Sequence, residues 1–161
     1  MKVYLDNAAT TPMAPEVIDT MTRVMKENFG NPSSTHSFGR ASKAIIEIAR
    51  REVAKLINAE AKEIIFTSGG TEADNMAIMC AVKDLGVTRI ISSHIEHHAV
   101  GHSIEHVGVK VDWVNVSETG QVDLAHLETL LQSEEKTLVS LMHANNEIGT
   151  LLDMKAVSAL C

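Results

Sequence analysis

Apolar residues recur at two spacings along the chain, and each spacing predicts a different element. Gaps of three or four residues predict an amphipathic helix that begins near Pro15 and carries Met21 on its apolar face. The same spacing predicts a longer helix over about 38–57, with Val53 and Leu56 turned inward. Both helices are expected to bury one side against a core.

Beyond these helices, shorter apolar or alternating runs predict strands, at 64–67, 89–93, 110–116 and 137–142. Helical spacing returns between and after them and predicts helices that start near 75, 98, 123 and 153. Because strands and helices alternate, the sequence predicts an α/β fold with a mainly parallel sheet and flanking helices.

The first predicted strand leads into a helix through Gly69 and Gly70, with Thr71 directly behind them. The first amides of a helix lack intrahelical partners and lie at the positive end of its dipole. Glycine lets a ligand approach that backbone closely, so the junction predicts an anion site, with phosphate as the usual guest. The alternative is an ordinary capped turn. Neither a P-loop pattern nor a Gly-x-Gly-x-x-Gly pattern is present.

Three polar loops follow predicted strands, and they begin at Ser68, His94 and His143. Parallel strands end at one edge of a sheet, and ligands of α/β sheets bind at that edge. The three loops are therefore expected to meet there and to form a binding site.

Composition narrows the class of protein. The chain has 161 residues, 45% of them hydrophobic, with a net charge of −7 and no basic run, which argues against nucleic acid as a partner. Its two cysteines, Cys80 in an apolar helix and Cys161 at the end, argue against a disulfide framework. The chain shows neither a signal-peptide pattern nor an apolar run long enough for a membrane. These features predict a cytoplasmic protein without a membrane partner.

Histidines recur every four residues, and this spacing opens a metal hypothesis. The residues are His94, His98, His102 and His106. Histidines at i and i+4 can bind zinc, so a metal-dependent hydrolase is one alternative. No His-Glu-x-x-His pattern accompanies them, and ordinary surface histidines are the other explanation for His102 and His106.

A flat aromatic cofactor with a phosphate tail is the competing interpretation. Gly70 and Thr71 could hold the phosphate, His97 could stack on a ring above the strand ends, and Asn146 could bond to the polar edge of that ring. Together these four residues describe a pyridoxal 5′-phosphate site of the fold-type I kind, with no metal in it.

Five segments, in order, carry a family resemblance: Tyr4–Thr11, Gly30–Ser34, Phe66–Asn75, Glu96–Val100 and His143–Gly149. On these segments the chain resembles cysteine desulfurases of the class V aminotransferase group. The likeness spans the whole chain and implies the first part of the large domain of a fold-type I pyridoxal-phosphate transferase.

The resemblance implies a role for each matching residue. Gly70 and Thr71 would contact the cofactor phosphate, Asn146 would bond to the ring hydroxyl, and His97 would stack on the ring and move a proton as the catalytic residue. The implied reaction removes sulfur from L-cysteine, leaves L-alanine, and passes an enzyme persulfide to iron–sulfur scaffolds or other sulfur acceptors. A homodimer is implied as well.

The chain also departs from the family. Family members are much longer, no His-Lys pair that would hold the cofactor covalently is present, and neither cysteine matches the sulfur-accepting one. We therefore expect a single incomplete domain, with an N-terminal arm at about 1–37 and a cofactor-binding α/β portion at about 38–161, and no turnover by the chain alone. A class V aminotransferase, a selenocysteine lyase, and a folding or interaction fragment stay open as alternatives.

Overall fold

The computed structural model describes all 161 residues, which divide into two compact units, Met1–Phe66 and Thr67–Cys161. The first unit contains helices α1 (Pro15–Glu27) and α2 (Ser37–Leu56) and a 3-10 turn at Ala61–Glu63. Pro15 is the first residue of α1, where its missing amide hydrogen removes no helical bond.

The helices of the first unit form as predicted, but their apolar faces are not covered. No residue of α1 is buried. In α2 only Gly39, Ser42 and Ala54 are buried, whereas Leu56 is 85% exposed. The prediction that Val53 and Leu56 point into a core is therefore wrong for this chain, because both side chains are exposed to solvent.

The second unit is a parallel sheet between helices. Its elements are α3 (Gly70–Lys83), β1 (Arg89–Ser92), α4 (His98–His106), β2 (Lys110–Trp113), α5 (Leu124–Leu130), β3 (Thr137–Val139) and α6 (Met154–Leu160). The strand order is β2-β1-β3, and both pairings are parallel. The predicted α/β class with a parallel sheet and flanking helices is confirmed.

The central strand β1 supplies the core on both faces of the sheet. Ile90 and Ile91 are fully buried and belong to different clusters, as the alternation of side chains along a strand requires. Ile90 packs with residues of α3 and α4, including Ile78 and Ile104. Ile91 packs with residues of α5 and α6, including Leu127. Two helical layers therefore cover the sheet.

An ion network closes the amino-terminal edge of the sheet. The buried guanidinium of Arg89, on β1, donates to the carboxylate of Asp112, on β2, and to the carbonyl oxygen of Leu130 at 2.7 Å. Lys110 lies 3.4 Å from the same carboxylate. Burial alone would raise the pKa of Asp112, but the bonds and charges of Arg89 and Lys110 outweigh it and hold the pKa below its ordinary value.

One predicted strand is absent. The segment 64–67 is not paired with any strand, although Ile64 has the extended backbone of one. A strand is stable only when a neighbour satisfies its amides and carbonyls, and apolar residues alone do not supply that neighbour. The segment instead contributes the Ile64 carbonyl, which accepts a hydrogen bond from Arg50, and the Phe66 ring, which lies under the same guanidinium.

Candidate functional site

The start of α3 is open to solvent and lacks partners for its first amides. Gly70 is the first residue of the helix, and a Cβ placed there would meet no atom within 4 Å. The amides of Gly70 and Thr71 make no hydrogen bond within the chain, and the first intrahelical bond runs from Ala73 to Gly69 at 3.2 Å. The helix start therefore has free donors for an anion, and the anion site itself stays a prediction.

No side chain caps α3, because the first-turn carboxylate of Glu72 bonds to Ser68, just before the helix. The carboxylate of Glu72 accepts hydrogen bonds from the hydroxyl and the amide of Ser68, at 2.6 and 2.7 Å. These two bonds lower the pKa of Glu72, so the side chain is charged near neutral pH. Since Glu72 bonds to Ser68 and to no amide of the helix, the amides of Gly70 and Thr71 stay free.

The chain path brings the starts of α3 and α4 to the same edge of the sheet. After α3 a short segment leads into β1, so the end of α3 lies near the amino end of that strand. After β1 another short segment leads into α4, which therefore starts near the carboxyl end. The two helices pack together on one face, through residues such as Ile78 and Ile104. Both helix starts thus face the edge where α/β proteins bind ligands.

His97 is the N-cap residue of α4 and is exposed. Its Nδ1 accepts a hydrogen bond from the amide of Ala99 at 3.1 Å. Since the neutral ring accepts at Nδ1, its proton is on Nε2, which has no partner in the chain. The cap therefore fixes one side of the imidazole and leaves Nε2 free.

The loop after β3 contains two adjacent asparagines with different environments. Asn146 is exposed, and its amide donates only to the neighbouring Glu147 carboxylate at 3.0 Å. Asn145 is 8% exposed and donates to the carbonyl oxygen of Ile95, in the loop after β1, at 3.0 Å. Its side-chain oxygen accepts from the amides of Glu147 and Ile148. Asn145 thus shapes the loop, and Asn146 is available for a ligand.

Glu96 joins the same two loops and was not among the predicted site residues. Its Oε1 accepts from the Ser93 hydroxyl at 3.1 Å and from the Met142 amide at 2.8 Å. Burial raises the pKa of this half-buried carboxyl; the two hydrogen bonds oppose the shift, and the nearby charge of Asp74 adds to it. Adjacency to His97 was the sequence signal that could have drawn attention to Glu96, and nothing in the sequence shows that Asn145 is buried.

The four regularly spaced histidines do not converge. His94 stacks on Trp113 with ring centroids 4.3 Å apart, and His98 stacks on His102 at 5.7 Å. His106 bonds to the backbone oxygen of His102. No group of three or more His, Cys, Asp or Glu side chains in the chain is arranged to hold a metal ion. The geometry gives the hydrolase hypothesis no support.

Known proteins of one family match nearly the whole chain. The family model for aminotransferase class V matches residues 3–161. "Cysteine desulfurase IscS" of Dictyoglomus turgidum is 46% identical over 164 residues, which cover 99% of this chain and 41% of that protein. "Putative cysteine desulfurase IscS 1" of Bacillus subtilis is 44% identical over 165 residues, 99% of this chain and 43% of that protein.

Two solved structures superpose on nearly the whole chain. A "NifS-like protein" superposes with a TM-score of 0.89 at 37% identity, over 99% of this chain and 45% of that one. A "NifS-like protein from Rickettsia africae" superposes with a TM-score of 0.83 at 37% identity, over 95% of this chain and 42% of that one. The chain thus spans less than half the length of these relatives. It belongs to the class V aminotransferase family.

Proposed function

We propose that this chain is part of a pyridoxal-phosphate-dependent cysteine desulfurase. The intact enzyme would remove sulfur from L-cysteine, release L-alanine, and hold the sulfur as a persulfide for iron–sulfur cluster assembly or another acceptor. Similarity to proteins named cysteine desulfurase, across 99% of this chain, supports the proposal.

One observation on the molecule carries the proposal. The free amides of Gly70 and Thr71 open at the carboxyl edge of the sheet, where His97 and the loop of Asn146 also lie. A phosphate needs unpaired donors at a helix start, and a flat ring needs exposed side chains beside it. The residues present therefore fit a phosphorylated aromatic cofactor.

Each of these residues has one task in the proposed site. The amides of Gly70 and Thr71, together with the Thr71 hydroxyl, bind the phosphate. The carboxamide of Asn146 bonds to the ring hydroxyl, and the imidazole of His97 covers a face of the ring. His97 holds its proton on Nε2, the nitrogen that the cap leaves free for proton transfer. When bound, pyridoxal phosphate supplies the electron sink that the substrate chemistry needs.

Neither cysteine fits the sulfur-accepting role. Cys80 is exposed, despite its position in an apolar helix. The hydrogen bond that the Cys80 thiol donates to the Asp84 carboxylate raises the pKa of this thiol, and burial and the charge of Asp84 raise it further. Since the thiolate is the nucleophile, Cys80 is poorly suited to attack sulfur. The sulfur-accepting cysteine and the covalent lysine have no match in this chain.

A class V aminotransferase or selenocysteine lyase would use the same four residues, and only the missing cysteine segment separates these activities. The names of the relatives favour the desulfurase. A homodimer, sulfur-acceptor scaffold proteins as partners, and a cytoplasmic location belong to the proposal. No helix here combines the length and apolarity needed to cross a bilayer.

A chimera tests the proposal directly. This chain would replace the matching 41% of the Dictyoglomus turgidum protein. We expect the chimera to bind pyridoxal phosphate and to release alanine and sulfide from L-cysteine with a thiol reductant. A Thr71→Ala change should weaken cofactor binding about 10- to 100-fold, the effect of one lost hydrogen bond to a charged group. Thr119→Ala, in an exposed turn, is the matched control.

A folded chimera that carries the cofactor but yields no alanine would contradict the desulfurase and leave the other class V activities. A folded chimera without the cofactor would contradict the assignment as a whole.

A further inference from the structure

Two side-chain contacts join the loop after β1 to the loop after β3. The Met142 amide donates to Oε1 of Glu96 at 2.8 Å, and Nδ2 of Asn145 donates to the carbonyl oxygen of Ile95 at 3.0 Å. Each loop supplies the side chain of one of these hydrogen bonds and the backbone group of the other. Neither loop can therefore shift along the other without breaking a hydrogen bond. His97 follows the first contact directly, and Asn146 follows the second.

The loop after β3 is already shaped by its own bonds. The backbone of Asn145 donates to the carbonyl oxygen of Thr150 at 2.9 Å and accepts from the amide of Gly149 at 3.0 Å. Its side-chain oxygen accepts from the amides of Glu147 and Ile148. The loop behaves as one piece, and its position is therefore set by where the Met142 end and Asn145 attach to the other loop.

The position of Glu96 is unfavourable for a charged carboxylate. A half-buried carboxylate loses hydration, and the nearby Asp74 adds charge repulsion. Two hydrogen bonds, from the Ser93 hydroxyl and the Met142 amide, offset this cost. Charged acceptors form stronger hydrogen bonds than neutral ones, so the arrangement favours a tight junction over a loose one.

We propose that Glu96 is a positioning residue: its carboxylate holds the loop that carries Asn146 against the loop that carries His97, so that both side chains are presented to one ring. This role rests on the proposed cofactor site. Glu96 itself acts through the Met142 amide rather than on the cofactor.

Amide hydrogen exchange, followed by NMR on the 161-residue chain, tests the junction without any ligand. The variants are Glu96→Ala, Glu96→Gln and Glu96→Asp, with Glu105→Ala as the matched control, because Glu105 is an exposed carboxylate on α4. Exchange at Met142 and at 145–149 should rise about 10- to 100-fold in Glu96→Ala, the effect of losing a charged hydrogen bond. Glu105→Ala should leave it unchanged.

The conservative variants separate the junction from general stability. Gln keeps a neutral acceptor oxygen at the same reach and should restore part of the protection at Met142. Asp keeps the charge but is one methylene shorter, and should not restore it. If Glu96→Ala fails to fold, the Gln and Asp variants make the same comparison. Equal exchange at Met142 in all variants, or equal loss in Glu105→Ala, would overturn the proposal.

A ligand titration adds a readout that loss of stability alone would not move. Inorganic phosphate probes only the start of α3, whereas pyridoxal phosphate also probes His97 and Asn146. We expect Glu96→Ala to keep its affinity for phosphate and to lose most of the added affinity for pyridoxal phosphate, about five- to tenfold. An unchanged ratio would contradict the positioning role. If the unsubstituted chain shows no preference for pyridoxal phosphate, the cofactor assignment fails, while exchange at Met142 still decides whether Glu96 joins the loops.

Discussion

The two units of the chain carry similar amphipathic patterns and use them differently. In the second unit, Thr67–Cys161, Ile90, Ile91 and Leu127 are completely buried in two layers on a sheet. In the first unit, Met1–Phe66, α1 buries no residue, and large apolar side chains such as Phe29 are more than half exposed. An apolar stripe therefore predicts a helix, but its burial depends on an element that can cover it.

The difference also explains which unit holds the candidate site. A binding site needs side chains held at fixed positions, and only a packed sheet with hydrogen-bonded loops provides them here. His97 and Asn146 lie on such loops. The first unit has helices and short turns but no comparable core, so its apolar surface is the part most open to another partner.

Matched isoleucine substitutions in the two units should show the largest difference in the free energy of unfolding. Ile90→Ala removes a fully buried side chain from the second unit and should lower the free energy of unfolding by about 2–5 kcal/mol. Ile18→Ala removes a side chain that is 48% exposed, from α1, and should change it by less than about 0.5 kcal/mol. Urea unfolding followed by far-UV circular dichroism, which reports the helices of both units, measures the two losses. Equal losses would mean that the first unit has a core of its own.

Self-association should depend on the first unit. Met25 and Phe29 are 69% and 76% exposed, and covering such a side chain is worth about 1.5–3 kcal/mol. We expect the chain to elute from size-exclusion chromatography with light scattering as a species larger than a monomer. Changing both residues to Lys should shift it toward the monomer.

The matched control changes an exposed apolar residue of the second unit, Ile148→Lys, and should leave the elution nearly unaltered. A clean monomer for the unsubstituted chain at all concentrations would contradict this prediction.

Acid should lower the free energy of unfolding of the second unit, because Asp112 becomes protonated. Its pKa is lowered in the folded state, so its contribution is fully present above the ordinary carboxyl pKa and is lost as pH falls through the lower folded value. Urea unfolding should show a falling free energy as pH drops below about 4. Asp112→Asn should cost about 1–3 kcal/mol at pH 7 and flatten this part of the pH dependence, because it removes the charged acceptor that bonds to the buried Arg89 and leaves only Glu135, at 3.7 Å.

Glu47, in the first unit, is the comparison for Asp112. It pairs with Arg50 at 3.3 Å on a partly exposed helix, so Glu47→Gln should change stability by less than about 1 kcal/mol. A larger effect from Glu47 than from Asp112 would reverse the contrast between the units.

Retention of the cofactor should be the smallest effect. The chain offers phosphate donors and ring contacts but no matching covalent lysine, so we expect a dissociation constant on the order of 1 mM or weaker. Absorbance after dialysis measures retention. A visible band that survives dialysis and disappears on borohydride reduction would show covalent attachment and would contradict the expectation.

Local chemistry allowed much of the second unit to be predicted from sequence. The helices α5 and α6 begin near the predicted positions 123 and 153, where Asp123 and Asp153 accept hydrogen bonds from the first helical amides. The free amides of Gly70 and Thr71 followed from the glycine junction. These features depend on a few neighbouring residues, which the sequence shows directly.

Features that depend on distant partners were predicted poorly. The segment 64–67 has strand composition but no strand beside it, and Leu56 has a helical position but no covering element. Glu96 and Asn145 act across about fifty residues of sequence, on Met142 and Ile95, and no local spacing reveals such contacts. The contacts that position the candidate site were therefore the part that sequence reasoning missed.

The central claim is that the amides of Gly70 and Thr71 bind a phosphate at the edge shared with His97 and Asn146. NMR titration of the chain with pyridoxal phosphate tests it most directly, with inorganic phosphate as the reference ligand. The account predicts that both ligands shift the Gly70 and Thr71 amides, and that only pyridoxal phosphate also shifts the His97 ring and the Asn146 side chain. Shifts centred on other residues, or none at Gly70 and Thr71, would contradict it.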